Sequence, residues 1–339
     1  MVAARRHHQR CAFRRNDCHH AAPRAPRGWP PLFKHHRIFA SVSNYTPISY
    51  QSTDGLALYA RDYAAAAGEA DPSASVPARL PVICLHGLTR NSADFDELAP
   101  EIARLGRRVL APDVRGRGYS ARDPNPDNYN PVVYAGDVAK LLHDLGIARA
   151  VFIGTSMGGL ITMTLAVRHL ELIAGAVLND VGPVLSTKGL ARIAGYAGRC
   201  NTLAGWDEAA GYLKDINACA FPDNPDAEWH KWARRAFEED GSGKLALRYD
   251  PSIALPLQTG KLRPTSLAGR LAFKRLAHKR PVLLVRGALS DLVEPEQASW
   301  MRRAAPTLHY TEVPNVGHAP MLTEPEALAS IRQFLSRLP

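Results

Sequence analysis

The stretch Ala150-Val151-Phe152-Ile153-Gly154-Thr155-Ser156-Met157-Gly158-Gly159 decides how the rest of the chain is read. Its first four residues form a continuous apolar run, the mark of a strand buried on both faces. From Met157 to about His169 the sequence suits a helix. Between the two stands G-x-S-x-G, the pattern of a serine held on a sharp strand-to-helix turn. Such a turn forces strained backbone angles on Ser156. Gly154 and Gly158 remove side chains that would collide with it. The turn puts Ser156 at the C-terminal edge of a sheet, where the N-terminus of the following helix favours negative charge.

Working outward, strands and helices alternate. Ile48–Ser52 and Leu56–Asp62 read as a hairpin around Asp54-Gly55. Residues 64–79 are mostly Ala, Gly, Pro and Ser, a loose loop. Residues 81–85 form another buried run, 92–105 a helix, and 107–112 a strand. Val132–Leu145 places Val138, Leu141, Leu142 and Leu145 on one helical face. Strands follow at 173–179, 281–286 and 309–313, with helices at 295–304 and 325–337. This alternation predicts an α/β fold with a mostly parallel sheet and helices on both faces. Residues 182–278 break it, with helices expected near 186–199, 206–219 and 226–239. That interval reads as a helical insertion.

A serine hydroxyl needs a base to attack a carbonyl near neutral pH. The expected chain order is serine, acid, histidine. His318, in Val316-Gly317-His318-Ala319-Pro320, follows the last strand and is the expected base. Asp291, in the loop after the 281–286 strand, is the expected acid. Asp180, at the end of the 173–179 strand, faces the same edge and is its rival, or else anchors the Val181-Gly182-Pro183 turn. The oxyanion requires two N–H donors. Met157 supplies one candidate. Leu88 supplies the other, from His86-Gly87-Leu88-Thr89, where Gly87 lets the backbone turn its amides inward. His86 is expected to brace this loop.

Asp113-Val114-Arg115-Gly116-Arg117-Gly118-Tyr119-Ser120-Ala121 contains the G-x-G-x-x-A form of a dinucleotide fingerprint. That fingerprint must open a helix. Pro124 and Pro126 forbid one here, so a braced loop with polar contacts at Asp113 and Arg115 is expected instead.

The chain has 339 residues, 46% hydrophobic and 22% charged, and a net charge of +10. Residues 1–40 carry nine Lys/Arg and one Asp, so most of the excess lies there. Residues 1–44 read as a basic, disordered tail, and no nucleic acid is expected as a partner. The paired histidines in the tail are not taken as a metal site. No run of 18 apolar residues exists, so no membrane span is expected. Five cysteines without C-x-x-C spacing suggest reduced thiols and a cytoplasmic setting.

Together, His86-Gly87, the Asp113–Ser120 loop, the elbow at Ser156, Asp291 and Gly317-His318 resemble the α/β-hydrolase superfamily over residues 45–339. The resemblance implies a core at 45–181 and 279–339. It also implies an eight-stranded mostly parallel sheet and a helical cap, residues 182–278, between strands six and seven. It implies no metal and no organic cofactor. Serine at the elbow disfavours the dehalogenase and epoxide hydrolase branches, which place aspartate there. A small-molecule substrate is expected, with a carboxylic ester or lactone foremost. Carbon–carbon hydrolysis of a vinylogous diketone, cofactor-free perhydrolase or haloperoxidase chemistry, and a non-catalytic binder on the same fold remain open. Tyr196, Trp206, Tyr212, Phe221, Trp229 and Trp232 are the large cap side chains available to line a pocket.

Overall fold

The computed structural model describes residues 44–66, 79–260 and 264–339. The basic tail, with Cys11, Cys18 and the His pairs, and most of the 64–79 loop lie outside them. The main sheet opens with β1 (Thr46–Gln51), β2 (Ala57–Tyr63), β3 (Val82–Leu85), β4 (Val109–Asp113), β5 (Ala150–Thr155) and β6 (Ile173–Asn179). A separate pair, β7 (Phe237–Glu239) and β8 (Leu245–Leu247), comes next, before β9 (Val282–Gly287) and β10 (His309–Val313) return to the sheet. The order is β1-β2-β4-β3-β5-β6-β9-β10, eight strands in all. Within this sheet only the β1–β2 and β2–β4 pairings are antiparallel. All the others are parallel.

The helices are α1 (Leu98–Ala103), α2 (Pro131–Asp144), α3 (Met157–Arg168), α4 (Thr187–Tyr196), α5 (Trp206–Asn217), α6 (Asp226–Ala236), α7 (Leu255–Gln258), α8 (Leu267–Lys279), α9 (Pro295–Ala304) and α10 (Pro325–Ser336). The central strands β3, β5 and β6 are apolar except at the terminal Thr155 and Asn179, because both faces are covered. Ile83, Leu85, Phe152, Leu178 and Leu284 meet the side chains of α2, α3 and α8 on one face. Val82, Cys84, Val151, Val177 and Val285 meet those of α1 and α10 on the other. Burial pushes the Cys84 thiol far up, which leaves it an inert core residue.

Several boundaries differ from those read in the sequence. The helix expected over 92–105 is a 3₁₀ turn, Ser92–Phe95, followed by α1. Pro100 has no N–H to donate within a continuous helix but is tolerated in the first turn of α1. The helix expected to reach 239 stops at Ala236, where Phe237 takes extended geometry and is fully buried. Its ring meets Tyr212 edge-on at 6.0 Å. The sequence reading also missed α8. Ser266 caps it by accepting from the Gly269 N–H at 2.9 Å, and it buries Ala272, Phe273, Leu276 and Ala277. Both a cap residue and helical apolar spacing were present there. Residues between Leu203 and Leu245 hold a third apolar cluster, built on Phe221, Trp229, Trp232 and Phe237. No helix among the described residues is long and apolar enough to cross a membrane.

Candidate active site

Ser156 sits between β5 and α3 with φ 51° and ψ −111°. This left-handed geometry is strained for a residue with a side chain. A Cβ on Gly154 would stand 2.5 Å from the Gly158 carbonyl carbon, and one on Gly158 would stand 2.1 Å from the Leu85 carbonyl oxygen. The two glycines thus let the elbow close on itself and on β3, rather than clearing space around Ser156 as the sequence suggested. The Ser156 N–H donates to the Asn179 carbonyl at 2.9 Å, which ties the elbow to the end of β6.

The His318 loop follows β10 and reaches across the same edge. Its Nε2 lies 2.9 Å from Ser156 Oγ and its Nδ1 lies 2.7 Å from Asp180 Oδ2. The carboxylate expected at Nδ1 was that of Asp291, and here the structure corrects the sequence reading. Asp291 instead meets the Arg192 guanidinium of α4 at 2.6 and 2.9 Å. Burial pushes the Asp291 carboxyl up, but Arg192 outweighs it and holds the group below its ordinary value. Asp180 follows directly on β6 with φ 51°, a conformation aspartate tolerates better than most residues. It is fully buried. It accepts from Ser290 Oγ at 2.6 Å and from the Gly287 N–H at 3.1 Å as well as facing His318. Three groups therefore position one carboxylate, and it does not anchor the turn at 181–183.

Two supporting residues were missed in the sequence. Ser290 is one, the hydroxyl that holds Asp180. Asn179 is the other, whose Nδ2 donates to the Pro320 carbonyl at 2.7 Å and so binds the His318 loop to β6. Gly287 also makes a close approach. A Cβ there would fall 2.4 Å from the Gly317 carbonyl oxygen.

Leu88, three residues past β3, lines the cavity beside Ser156, and Met157 opens α3 directly after the serine. Among the described residues, neither backbone N–H has a hydrogen-bond partner. Gly87 is not in the left-handed region, and a Cβ on it would make ordinary contacts with Arg90 Cγ at 3.6 Å and Ser156 Cβ at 3.9 Å. Its smallness keeps room next to the hydroxyl, and the expected need for glycine's backbone freedom does not arise. His86 is fully buried. Its Nε2 accepts from the Val114 N–H at 3.0 Å, so the Nδ1–H donates to the Gly87 carbonyl at 2.8 Å. Burial lowers its pKa and favours this neutral form.

A cavity of about 100 Å³ opens on Ser156 and His318. Of the aromatic candidates, Tyr196, Tyr212, Phe221 and Trp232 line it. Trp229 does not: it is buried against Trp232, ring centroids 5.0 Å apart. Trp206 does not either, since Arg234 covers its ring at 3.9 Å. Sequence reasoning missed the polar pair on the cavity wall, Arg90 and Asp94, joined at 2.7 and 2.8 Å.

A family model described as the alpha/beta hydrolase fold matches residues 81–325, and the chain belongs to that family. It is similar to a 3-hydroxybutyrate-oligomer hydrolase of Cupriavidus necator, 35% identical over 75% of this chain and 88% of the relative. It is also similar to a mouse sn-1-specific diacylglycerol lipase, ABHD11, 27% identical over 73% of this chain and 77% of the relative. Among solved structures, an alpha/beta hydrolase from Novosphingobium aromaticivorans shares 40% identity. It covers 88% of this chain and 100% of its own, with a TM-score of 0.77.

Proposed function

We propose that the protein is a serine hydrolase that cleaves small carboxylic esters through an acyl-enzyme on Ser156. The observation that carries this reading is the position of the His318 ring, within hydrogen-bond reach of Ser156 Oγ on one side and of Asp180 on the other. In this reading, Oγ attacks the ester carbonyl carbon while His318 Nε2 takes the hydroxyl proton. The carbonyl oxygen becomes an oxyanion that accepts from the N–H groups of Leu88 and Met157. His318 returns the proton to the departing alkoxide. Water then attacks the acyl carbon, His318 again takes the proton and returns it to Oγ, and the acid is released. Asp180 fixes the imidazole tautomer and stabilises the imidazolium.

Residues 182–278 serve as a cap that shapes the substrate site, since Tyr196, Tyr212, Phe221 and Trp232 all come from that segment. The charged pair on the cavity wall is internally matched, Arg90 to Asp94, which suits an uncharged, moderately apolar ester. The relative named for 3-hydroxybutyrate oligomers points the same way, since joining hydroxy acids head to tail makes an ester. The cysteine spacing supports a cytoplasmic setting.

A panel of p-nitrophenyl esters of increasing chain length, lactones and a vinylogous diketone tests the reading. Short-chain esters should turn over, and Ser156→Ala should lower kcat by roughly a millionfold, the loss typical of removing a triad serine. Turnover of the diketone alone, or wild-type ester turnover in Ser156→Ala, would contradict it.

A further inference from the structure

The Gly116-Arg117-Gly118 run has no dinucleotide to bind, yet its geometry is tightly specified. Gly116 and Gly118 both have left-handed φ, 75° and 55°. A Cβ on Gly118 would stand 2.1 Å from Asp113 Oδ2. Asp113 occupies that place because it accepts from the Tyr119 N–H at 2.8 Å and from the Ser92 N–H at 2.6 Å. This folding of the loop turns Arg117 inward, where it is fully buried.

The guanidinium of Arg117 reaches the Leu88 backbone and the Met157 side chain. Its Nε donates to the Leu88 carbonyl at 3.0 Å, and its Nη2 lies 3.3 Å from Met157 Sδ. Nη1 donates to the Arg115 carbonyl at 2.8 Å and to Tyr134 Oη at 3.0 Å. The ring of Tyr134 lies 5.0 Å from the guanidinium carbon and that of Tyr129 lies 5.7 Å from it. Among the described residues no carboxylate comes within ion-pair distance of Arg117. Its neighbour Arg115, equally buried, is paired with three. A buried cation without a counter-ion is costly, and dipoles and ring faces offset only part of that cost.

We propose that Arg117 is a positioning residue of the reaction: it clamps the two segments that present the Leu88 and Met157 N–H groups and sets an uncompensated positive charge behind the oxyanion. The proposal rests on the acyl-enzyme reading above. Its physical content is differential. A neutral ester gains little from the charge, whereas the anion formed during attack supplies the missing negative partner in a low-dielectric site. Arg117 should therefore act on kcat and leave KM nearly unchanged.

The experiment compares Arg117→Met and Arg117→Gln, which are neutral, with Arg117→Lys, which keeps the charge. Folding is checked by circular dichroism and thermal melting. The readouts are kcat and KM on p-nitrophenyl acetate, and the inhibition constant of a boronic acid that forms an anionic tetrahedral adduct on Ser156. The neutral variants should lose about 30- to 100-fold in kcat, somewhat less than removal of a direct oxyanion donor. KM should stay within about threefold, and boronate binding should weaken in step with kcat. Arg117→Lys should recover most of both losses. A folded neutral variant with wild-type kcat and boronate affinity would overturn the proposal. So would a lysine variant no better than methionine, or failure of both neutral variants to fold, which would assign Arg117 to stability alone. If the unmodified protein neither binds the boronate nor depends on Ser156, the acyl-enzyme reading fails instead.

Discussion

Asp180→Asn will lower kcat by about four orders of magnitude, the loss expected when the carboxylate behind a triad histidine becomes an amide. Asp291→Asn will leave kcat near the wild-type value. The contrast follows from what each carboxylate touches. Asp180 is fully buried and accepts from Ser290 Oγ and the Gly287 N–H while facing His318 Nδ1. An asparagine amide has only one acceptor oxygen. With that oxygen in the Oδ1 place, facing the Gly287 N–H, the NH₂ takes the Oδ2 place and presents its hydrogens to Nδ1, so the imidazole must carry its proton on Nε2, where it cannot accept from Ser156. Asp291 is engaged by Arg192, so its loss disturbs an ion pair on α4 and not the ring. Steady-state kinetics of both variants on one p-nitrophenyl ester provide the check. A large loss in Asp291→Asn with little change in Asp180→Asn would reverse the assignment.

Arg115→Met will destabilise the fold by about 3–5 kcal/mol, the range for breaking a buried pair and leaving its partner charged. Arg115 lies in the loop after β4 with its side chain 1% exposed, and it binds Asp123 and Asp137, themselves 4% and 6% exposed. It also binds Asp54 in the β1–β2 turn. Its guanidinium is the first cause of the Asp54 carboxyl's drop to about 2. Methionine fills the stem but leaves Asp123 and Asp137 buried without their cation. Thermal melting at neutral pH should show a fall on the order of 10 °C. A melting temperature within about 2 °C of wild type would mean that water or rearrangement satisfies those carboxylates.

The residues that decide the fold were legible because they obey local rules. Four apolar residues before Gly154 fix a buried strand, and two glycines two positions either side of Ser156 fix a turn that few other residues allow. His318 was legible from chain order alone. The acid was not, because two strands end at the same edge with an aspartate nearby and the sequence cannot say which side chain turns inward. Asp180 leaves β6 in left-handed geometry and points straight at the ring. Asp291 stands four residues past β9 and is drawn off by Arg192, whose position depends on how the 182–278 segment folds back. The same dependence hid which aromatics face the cavity. Trp229 and Trp232 are separated by less than one helical turn of α6, yet only Trp232 reaches the cavity. Ser290 holds Asp180 through a buried polar contact that carries no periodic signal, and Arg117, although it lies within a marked glycine motif, is singled out only by the fold that buries its side chain.

The central claim is that Ser156 is a nucleophile activated by His318, and fluorophosphonate labelling measures it most directly. Peptide mapping by mass spectrometry should find one adduct, on Ser156, and His318→Ala should slow its formation by at least about a thousandfold, within the range for loss of a general base. An adduct on any other residue, or labelling of Ser156 at the wild-type rate in His318→Ala, would contradict the account.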